Sequence, residues 1–502
     1  MPSALRTELT LPADARMLRL AHDFGRNLAA LAEFPEDQAD LLAQALCEAC
    51  KNSIEHAFDE DAAPPITLIG EVTPAALTLS ICDQGLPFDQ SLDPAASKPG
   101  PGPPASPRSC GHGLALIHRC ADEVRWINHG PAGKELRLTK NRAGVCRLEP
   151  PPAHAAGSYH EPTPTGIAQD YTIRRLAPED AIRVAQLMYR VYGYSYSNED
   201  FYYPERLAHD LTTGTQVGVV AVAGNGEIVG HVGVMRPNCG PLAELGQLAV
   251  APAHRGQGLR RRMGDRLQEE ILRLGLAGLY AEAVTIHTIS QEASESRGLH
   301  VAGIQLLDWQ ARFKRLRNLE PETSPQRESM VFYFKYLAPP APALICAPSR
   351  HREILAKIYH NLEAPVDFIP PSGPLGPGQV AVHFDRDTGA GHIQVNRIGL
   401  DTLPEIEQAR RDLCGLAGAA VVALDLPLAQ GATPYLADAV EAVGFFFSGV
   451  RPHTAPDGDC LRLQFLKAEP DLERLHLTSP FARELLAYAL ADRTRVAQGV
   501  KQ

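Results

Sequence analysis

Residues 248–263 read LAVAPAHRGQGLRRRM. An apolar run closes at Val250, a short polar link follows, and Gly256-Gln257-Gly258 opens into Leu259 and the basic run Arg260, Arg261, Arg262, with Arg266 one turn on. Glycines at a strand-to-helix turn let the backbone present successive N–H donors to an anion. Arginines in the first turn of a helix oppose its dipole, so they need an anionic ligand, and clustered they suit a pyrophosphate and a further phosphate. The flanks read as α/β: a strand at 171–176, a helix at 178–194, strands at 217–223 and 228–236, then 243–250 (AELGQLAV) and 279–284. Gly224-Asn225-Gly226 makes the second and third of these strands a hairpin.

The run resembles motif A of the GNAT family of N-acetyltransferases, over about residues 170–310. The resemblance implies a GNAT fold that binds acetyl-CoA. Val250 and its neighbouring backbone would pair with pantetheine, and Arg255, Gly256, Gln257 and Gly258 would cradle the pyrophosphate. Ala253 stands where Gln or Arg is usual, a change that a backbone donor survives. Glu244 holds the place of the general base that strips a proton from the acceptor amine, which is no nucleophile as an ammonium. The family often protonates the departing thiolate with a Tyr; here the matching position offers Ser294, with His287 and Ser290 able to donate or to orient a water, or to form an ordinary polar turn.

Nearer the start, Pro35 with Glu36, Asp37 and Asp40 opens a helix whose core face is Leu41, Leu42, Ala45, Leu46 and Ala49. Glu48, Asn52 and His56 recur every four residues and stack on a second face. Alone, such a stripe is an ordinary solvated face. Strands at 66–72 and 77–82 follow, the second ending in Asp83-Gln84-Gly85, where a fixed carboxylate can accept a hydrogen bond from an exocyclic amino group. The Pro-rich stretch 93–109 reads as a mobile lid, and Gly111-His112-Gly113-Leu114 opens a helix to Ala121 whose first amides can hold phosphate.

Together, Glu48-x3-Asn52-x3-His56, Asp83-x-Gly85 and Gly111-x-Gly113 resemble the anti-sigma-factor serine kinases of the GHKL ATPase superfamily, over about residues 8–140. The resemblance implies an ATP site in which Asn52 binds Mg²⁺, Asp83 contacts adenine, Gly85 belongs to the adenine pocket and Gly111 and Gly113 hinge the phosphate lid. It makes Glu48 the base that takes a proton from the attacking serine of a partner protein, and it implies a STAS-domain antagonist or a sigma factor as partner.

The fold class expected is an α+β multidomain protein: a GHKL α/β sandwich at 1–147, with a mixed sheet and helices on one face; a Pro-rich linker at 148–169; a GNAT domain at 170–337; and a degenerate GNAT-like domain at 338–502, opened by APPAPA. The last rests on a faint repeat, Glu441-x-x-Gly444 with Gly449 copying the spacing of Glu295-x-x-Gly298 with Gly303. It lacks a Gly-x-Gly loop and reads as a non-catalytic copy, with His351, His360, His383 and His392 as surface residues. Over 502 residues, 48 Lys and Arg against 59 Asp and Glu give a net charge of −11, which argues against a general nucleic-acid or anionic-membrane binder. No apolar run spans a bilayer and residues 1–16 carry no leader-type apolar segment, so a cytoplasmic protein is expected, whose Cys47 and Cys50 are buried thiols on a helix. The function expected is acetyl transfer to a small-molecule or protein amine, coupled to an ATP-binding kinase-like module. The alternative is a partner switch in which ATP and acetyl-CoA only bias conformation.

Overall fold

The computed structural model describes residues 5–57, 64–89, 111–142, 170–310, 327–386 and 388–499. The expected lid at 93–109 and linker at 148–169 lie outside these residues. The chain divides into two compact units, the first made of the described residues up to Val232 with Leu248–Leu267, the second of Gly233–Gln247 and the described residues from Gln268 onward.

The first unit begins with β1 (Leu5–Leu11), α1 (Leu18–Leu31), α2 (Glu36–His56), β2 (Ile66–Val72), β3 (Ala76–Asp83), α3 (Gly111–Cys120), β4 (Glu123–Asn128) and β5 (Lys134–Asn141). The strands form one sheet in the order β1-β2-β3-β5-β4. Every pair in it is antiparallel, so it is not the mixed sheet expected. The short links from β2 to β3, closed at Thr73 by its hydroxyl and amide on Ala76, and from β4 to β5 reverse the chain and leave no room for a parallel crossover there. Helices α1 and α2 bury Leu28, Leu42, Leu46 and Ala49 against Leu68, Leu79 and Leu138. Leu41, expected in that core, is exposed because it lies round the helix from the buried stripe, on the flank away from the sheet.

The chain resumes with β6 (Tyr171–Arg175), α4 (Ala181–Tyr192), α5 (Pro204–Thr213), β7 (Gln216–Ala223), β8 (Ile228–Met235), β9 (Leu242–Val250) and α6 (Leu259–Leu272). It continues with β10 (Gly278–Val284), α7 (Ile289–Glu295), β11 (His300–Gln310), β12 (Arg327–Tyr336), β13 (Ala343–Ile345), α8 (Arg352–Asn361), β14 (Val366–Phe368), β15 (Gln379–Asp385) and β16 (Ala390–Arg397). It ends with α9 (Thr402–Gly415), β17 (Val421–Pro427), α10 (Thr433–Ala442), β18 (Phe446–Ala455), β19 (Gly458–Leu466) and α11 (Pro480–Gly499).

Strands of the second unit run β15-β16-β17-β19-β18-β11-β12-β10-β9, a palindrome about the β11/β18 seam. The registers correspond at several points, although the parallel pairing covers three residues in one half and five in the other. Parallel pairing starts at Leu242↔Gly278 in one half and at Ala390↔Val421 in the other; Glu282 faces Phe332 where Asp425 faces Arg462; the strand after each helix slips register just before Gly303 or Gly449. A left-handed residue follows at the same distance, Leu307 in one half and His453 in the other. By this correspondence His392 stands where Glu244 stands, Asp425 where Glu282 does, and Arg451 where Gln305 does.

The seam pairs Gly303 with Gly449. A Cβ on Gly449 would lie 2.3 Å from the Gly303 Cα and 2.5 Å from the Ala302 oxygen, both backbone atoms that cannot swing away. His351 is not at the surface as expected: it is fully buried, with Nε2 2.6 Å from Glu441 and Nδ1 2.8 Å from the Tyr488 hydroxyl, because the repeat's Glu441 needs an inward partner. His351, Glu441 and Asp492 could reach one cation, but Arg350 and Arg495 already neutralise the two acids, which makes the group a closed ion-pair network. His392 is also tied down, 2.8 Å from Asp425. Gly449→Ala should destabilise the chain by about 1–3 kcal/mol, the usual cost of overpacking. Gly415→Ala, with open space at its Cβ, should be neutral or slightly stabilising. Urea melts of the two variants check this, and a Gly449→Ala variant as stable as the parent would contradict the seam.

Candidate functional site

The second unit places the predicted base at the end of a short parallel pairing. Strands β9 and β10 match Leu242–Glu244 with Gly278–Tyr280, and the register stops there, leaving Leu245–Gln247 outside it. Gln247 adopts a left-handed conformation (φ 61°) in mid-strand, which re-aims the residues around it. No local residue pattern marks this kink. Glu244 and Tyr280 are register partners and Glu282 follows two residues later, so all three side chains share a sheet face. Burial, with the neighbouring Glu282 charge adding to it and Arg451 opposing it, pushes the Glu244 carboxyl up to about 7. Burial also works against Glu282, but the Arg451 and Arg462 guanidiniums outweigh it and hold that carboxyl below its ordinary range. One acid is thereby set near neutrality beside one that stays ionised, the pattern that assigns a base. Of the candidate proton donors, Ser294 is buried and gives its hydroxyl to the Ser290 carbonyl. His287 Nδ1 and Ser290 Oγ are buried without a hydrogen-bond partner among the described residues. Burial lowers the His287 pKa, so its ring is neutral at pH 7.

In the first unit Val250 ends β9, and Arg255 Nε bonds its carbonyl at 3.2 Å. Gly256 and Gly258 have φ of 79° and 70°, with nothing within 4 Å of where a Cβ would stand, and Gln257 between them is exposed. Helix α6 starts at Leu259, so its first amides have no intrahelical acceptor. This is an open, preformed turn of the kind that takes a phosphate. The matching turn of the second half is closed: a Cβ on Gly399 would sit 2.0 Å from the Gly378 nitrogen, so chain already fills that space.

The N-terminal sheet gathers the other predicted residues. Glu48 and Asn52, a turn apart on α2, both reach Gly113 near the start of α3: a Cβ there would lie 3.0 Å from Glu48 Oε2 and 3.8 Å from Asn52 Oδ1. Gly111 begins that helix, and the side chain of His56 lies outside the described residues. Asp83 is buried at the end of β3; its Oδ2 accepts the Ser53 hydroxyl at 2.7 Å, and its Oδ1 accepts the Gly85 amide at 2.8 Å and faces Lys134 Nζ at 3.1 Å. Three of about four lone-pair positions are used, which leaves room for one more donor. Gly85 is required: a Cβ would be 2.3 Å from the Ala57 carbonyl. Lys134, missed from the sequence, is buried and also donates to the Leu86 carbonyl at 2.7 Å. Cys50 is buried and its thiol is pushed up to about 12 by burial, so it is protonated.

Residues 11–140 match the histidine kinase-like ATPase domain, and residues 182–298 match the acetyltransferase (GNAT) family. The chain joins these two domains. Serine-protein kinase RsbW of Bacillus subtilis (strain 168) is 28% identical over 137 residues, 26% of this chain and 83% of that protein. Among solved structures, yncA of Salmonella typhimurium, determined with acetyl-CoA, aligns with 34% of this chain and 96% of its own at 18% identity and a TM-score of 0.28. A phosphinothricin acetyltransferase of Sinorhizobium meliloti, in complex with acetyl-CoA, aligns with 34% and 89% at 16% identity and a TM-score of 0.27.

Within the first unit the ATPase domain is clasped by α4 of the GNAT domain and by the segment that follows it. Tyr189 gives its hydroxyl to the Gln84 carbonyl (2.9 Å), Tyr194 to the Gly85 carbonyl (2.7 Å), and Gln186 its amide to the Pro87 carbonyl (3.0 Å). Tyr203 reaches the His129 carbonyl at 3.1 Å. Three of these four bonds fall on residues 84–87, next to Asp83. Losing one bond costs about 0.5–1.5 kcal/mol, so Tyr194→Phe should speed hydrogen exchange of the amides of residues 84–89 by roughly 2- to 13-fold. Exchange measured by mass spectrometry on the full chain checks this, and unchanged protection there would contradict the clasp.

Proposed function

We propose that the chain is an acetyl-CoA-dependent N-acetyltransferase whose ATP-binding, serine-kinase-like domain regulates it. The observation that carries the reading is Glu244: a carboxylate at the last residue of a parallel pairing, raised by burial and by Glu282 to about 7. A base poised there accepts a proton from an amine at neutral pH. The freed amine attacks the thioester carbonyl, the C–N bond forms, the C–S bond breaks, and the CoA thiolate leaves and takes up a proton. The open turn at Gly256–Gly258 supports pyrophosphate binding, with Arg255 and Val250 fixing its approach. Two acids near the reacting centre favour a cationic amine as acceptor.

For the ATPase domain, Asp83 with one acceptor position to spare supports adenine binding beside Gly85. The oxygen donors of Asn52 and Glu48, close to Gly113, form a hard-ligand pair that suits Mg²⁺, with Asn52 its ligand. Bound there, the ion would neutralise charge on the phosphates. Glu48 is suited to take a proton from a serine hydroxyl on a STAS-domain or sigma-factor partner, and Gly111 and Gly113 to hinge a lid. A second reading, in which ATP acts as an allosteric ligand and no phosphoryl group is transferred, is favoured by the clasp: a nucleotide that moves residues 84–87 acts directly on α4.

Release of CoA thiol from acetyl-CoA, measured over a panel of polyamines, aminoglycosides, amino acids and lysine peptides, tests the first reading. Glu244→Gln should lower kcat by about 10²–10⁴-fold. Since the carboxylate forms as pH rises through about 7, wild-type kcat/KM should fall tenfold per pH unit below that value. A Glu244→Gln variant with full activity would refute the assignment. Glu48→Ala should abolish ATP turnover with Mg²⁺ while nucleotide binding stays within a few-fold, checked by phosphate release and fluorescent-nucleotide titration; unchanged turnover would remove Glu48 from the chemistry.

A further inference from the structure

The C-terminal repeat has no glycine turn, yet among the charged side chains it sends into the first half one pairs directly with Glu282. Arg451, on β18, donates from Nη1 to Glu282 Oε1 at 2.7 Å and lies 3.4 Å from Gln305 Oε1. Its guanidinium is stacked 3.9 Å over the Phe332 ring and 5.7 Å from the Tyr280 ring, and only 13% of its side chain is exposed. Phe332 and Tyr280 belong to the strand positions that face Glu282 and Glu244. The second half makes no such loan to itself. Its own acid, Asp425, is paired by Arg462 from the adjacent strand, at the position that Phe332 fills in the first half. Glu282 has no cation at the corresponding place on β12, and Arg451 stands where the first half has Gln305.

We propose that Arg451 of the C-terminal repeat is a positioning residue of the acetyl-transfer centre, pairing with Glu282 so that Glu244 is free to act as base. The proposal rests on the transferase reading above. The charged groups around the two acids are Tyr280 and Glu282 on β10, Arg451 on β18, Arg462 on β19 with its partners Asp425 and His392, and Asp308 at the end of the Gln305 side chain. Without Arg451, two partly buried carboxylates would face each other with one cation fewer, and they would hold a proton between them at neutral pH. The pair also accounts for the repeat itself: a half with a closed anion turn still supplies a cation that the first half lacks.

The test uses the full chain labelled with [5-¹³C]glutamate, the Glu244 carboxyl signal being the one lost in Glu244→Gln. Arg451→Gln should move its titration midpoint up by about one pH unit, Glu282→Gln should move it down by about one, and Arg451→Lys should fall between Arg451→Gln and wild type. The acid limb of kcat/KM, with the amine that gives wild-type turnover, should move with each midpoint. A midpoint that stays put in Arg451→Gln, or moves the same way in both variants, overturns the proposal, and Glu282→Gln decides alone if Arg451→Gln fails to fold. Opposite midpoint shifts in a chain that acetylates none of the amines would remove the transferase reading and leave the Arg451–Glu282–Glu244 coupling standing.

Discussion

Two parallel strands that stop pairing are the constraint on which the centre depends. Backbone N–H and C=O groups within a sheet are satisfied by the neighbouring strand, so a register that ends at Glu244 leaves the following groups in need of other partners. Gln247 in its left-handed conformation stores strain just past that point. The same break in pairing sets a carboxylate at the edge of the sheet's interior, where burial can raise it without sealing it off.

The second half carries a different arrangement at the matching positions. Its strand order mirrors that of the first half, but its parallel pairing runs on past His392 to Gln394, Gly399 is packed against Gly378, and His392 stands in the glutamate's place. What survives is the buried ion-pair set about the seam: Arg462 with Asp425, Arg451 with Glu282. A buried charge left without its partner is costly, commonly about 3–5 kcal/mol, so these pairs hold the two halves' charges fixed whether or not the adjacent turn is open.

Much of this was legible in the sequence, because its strongest signals are backbone requirements. Gly256, Gly258 and Gly85 each mark a conformation or a close approach that a side chain would forbid, and such requirements are written locally. Gly449 and Gly303 carry the same kind of signal, a close approach of two backbones. The role of Arg451 was not legible: it lies 169 positions from Glu282, and no periodicity connects a strand to the cation that will cross its seam. The burial of His351 was missed likewise, since its partner Glu441 is 90 residues away. Nor does any local pattern tell that Tyr189 and Tyr194, which read as part of a helix's apolar face and its end, spend their hydroxyls on the carbonyls of Gln84 and Gly85.

The clasp gives residues 84–87 and the opening segment of the acetyltransferase domain a common set of bonds, and any coupling of ligands through it must be reciprocal in binding free energy. Underneath that coupling lies a simpler claim, that one half keeps an open anion turn and the other has closed it. Calorimetric titration of the full chain with acetyl-CoA tests it most directly. A single equivalent bound per chain, weakened as salt is raised because phosphate contacts are involved, is the predicted result; no heat of binding, or two equivalents per chain, would contradict it.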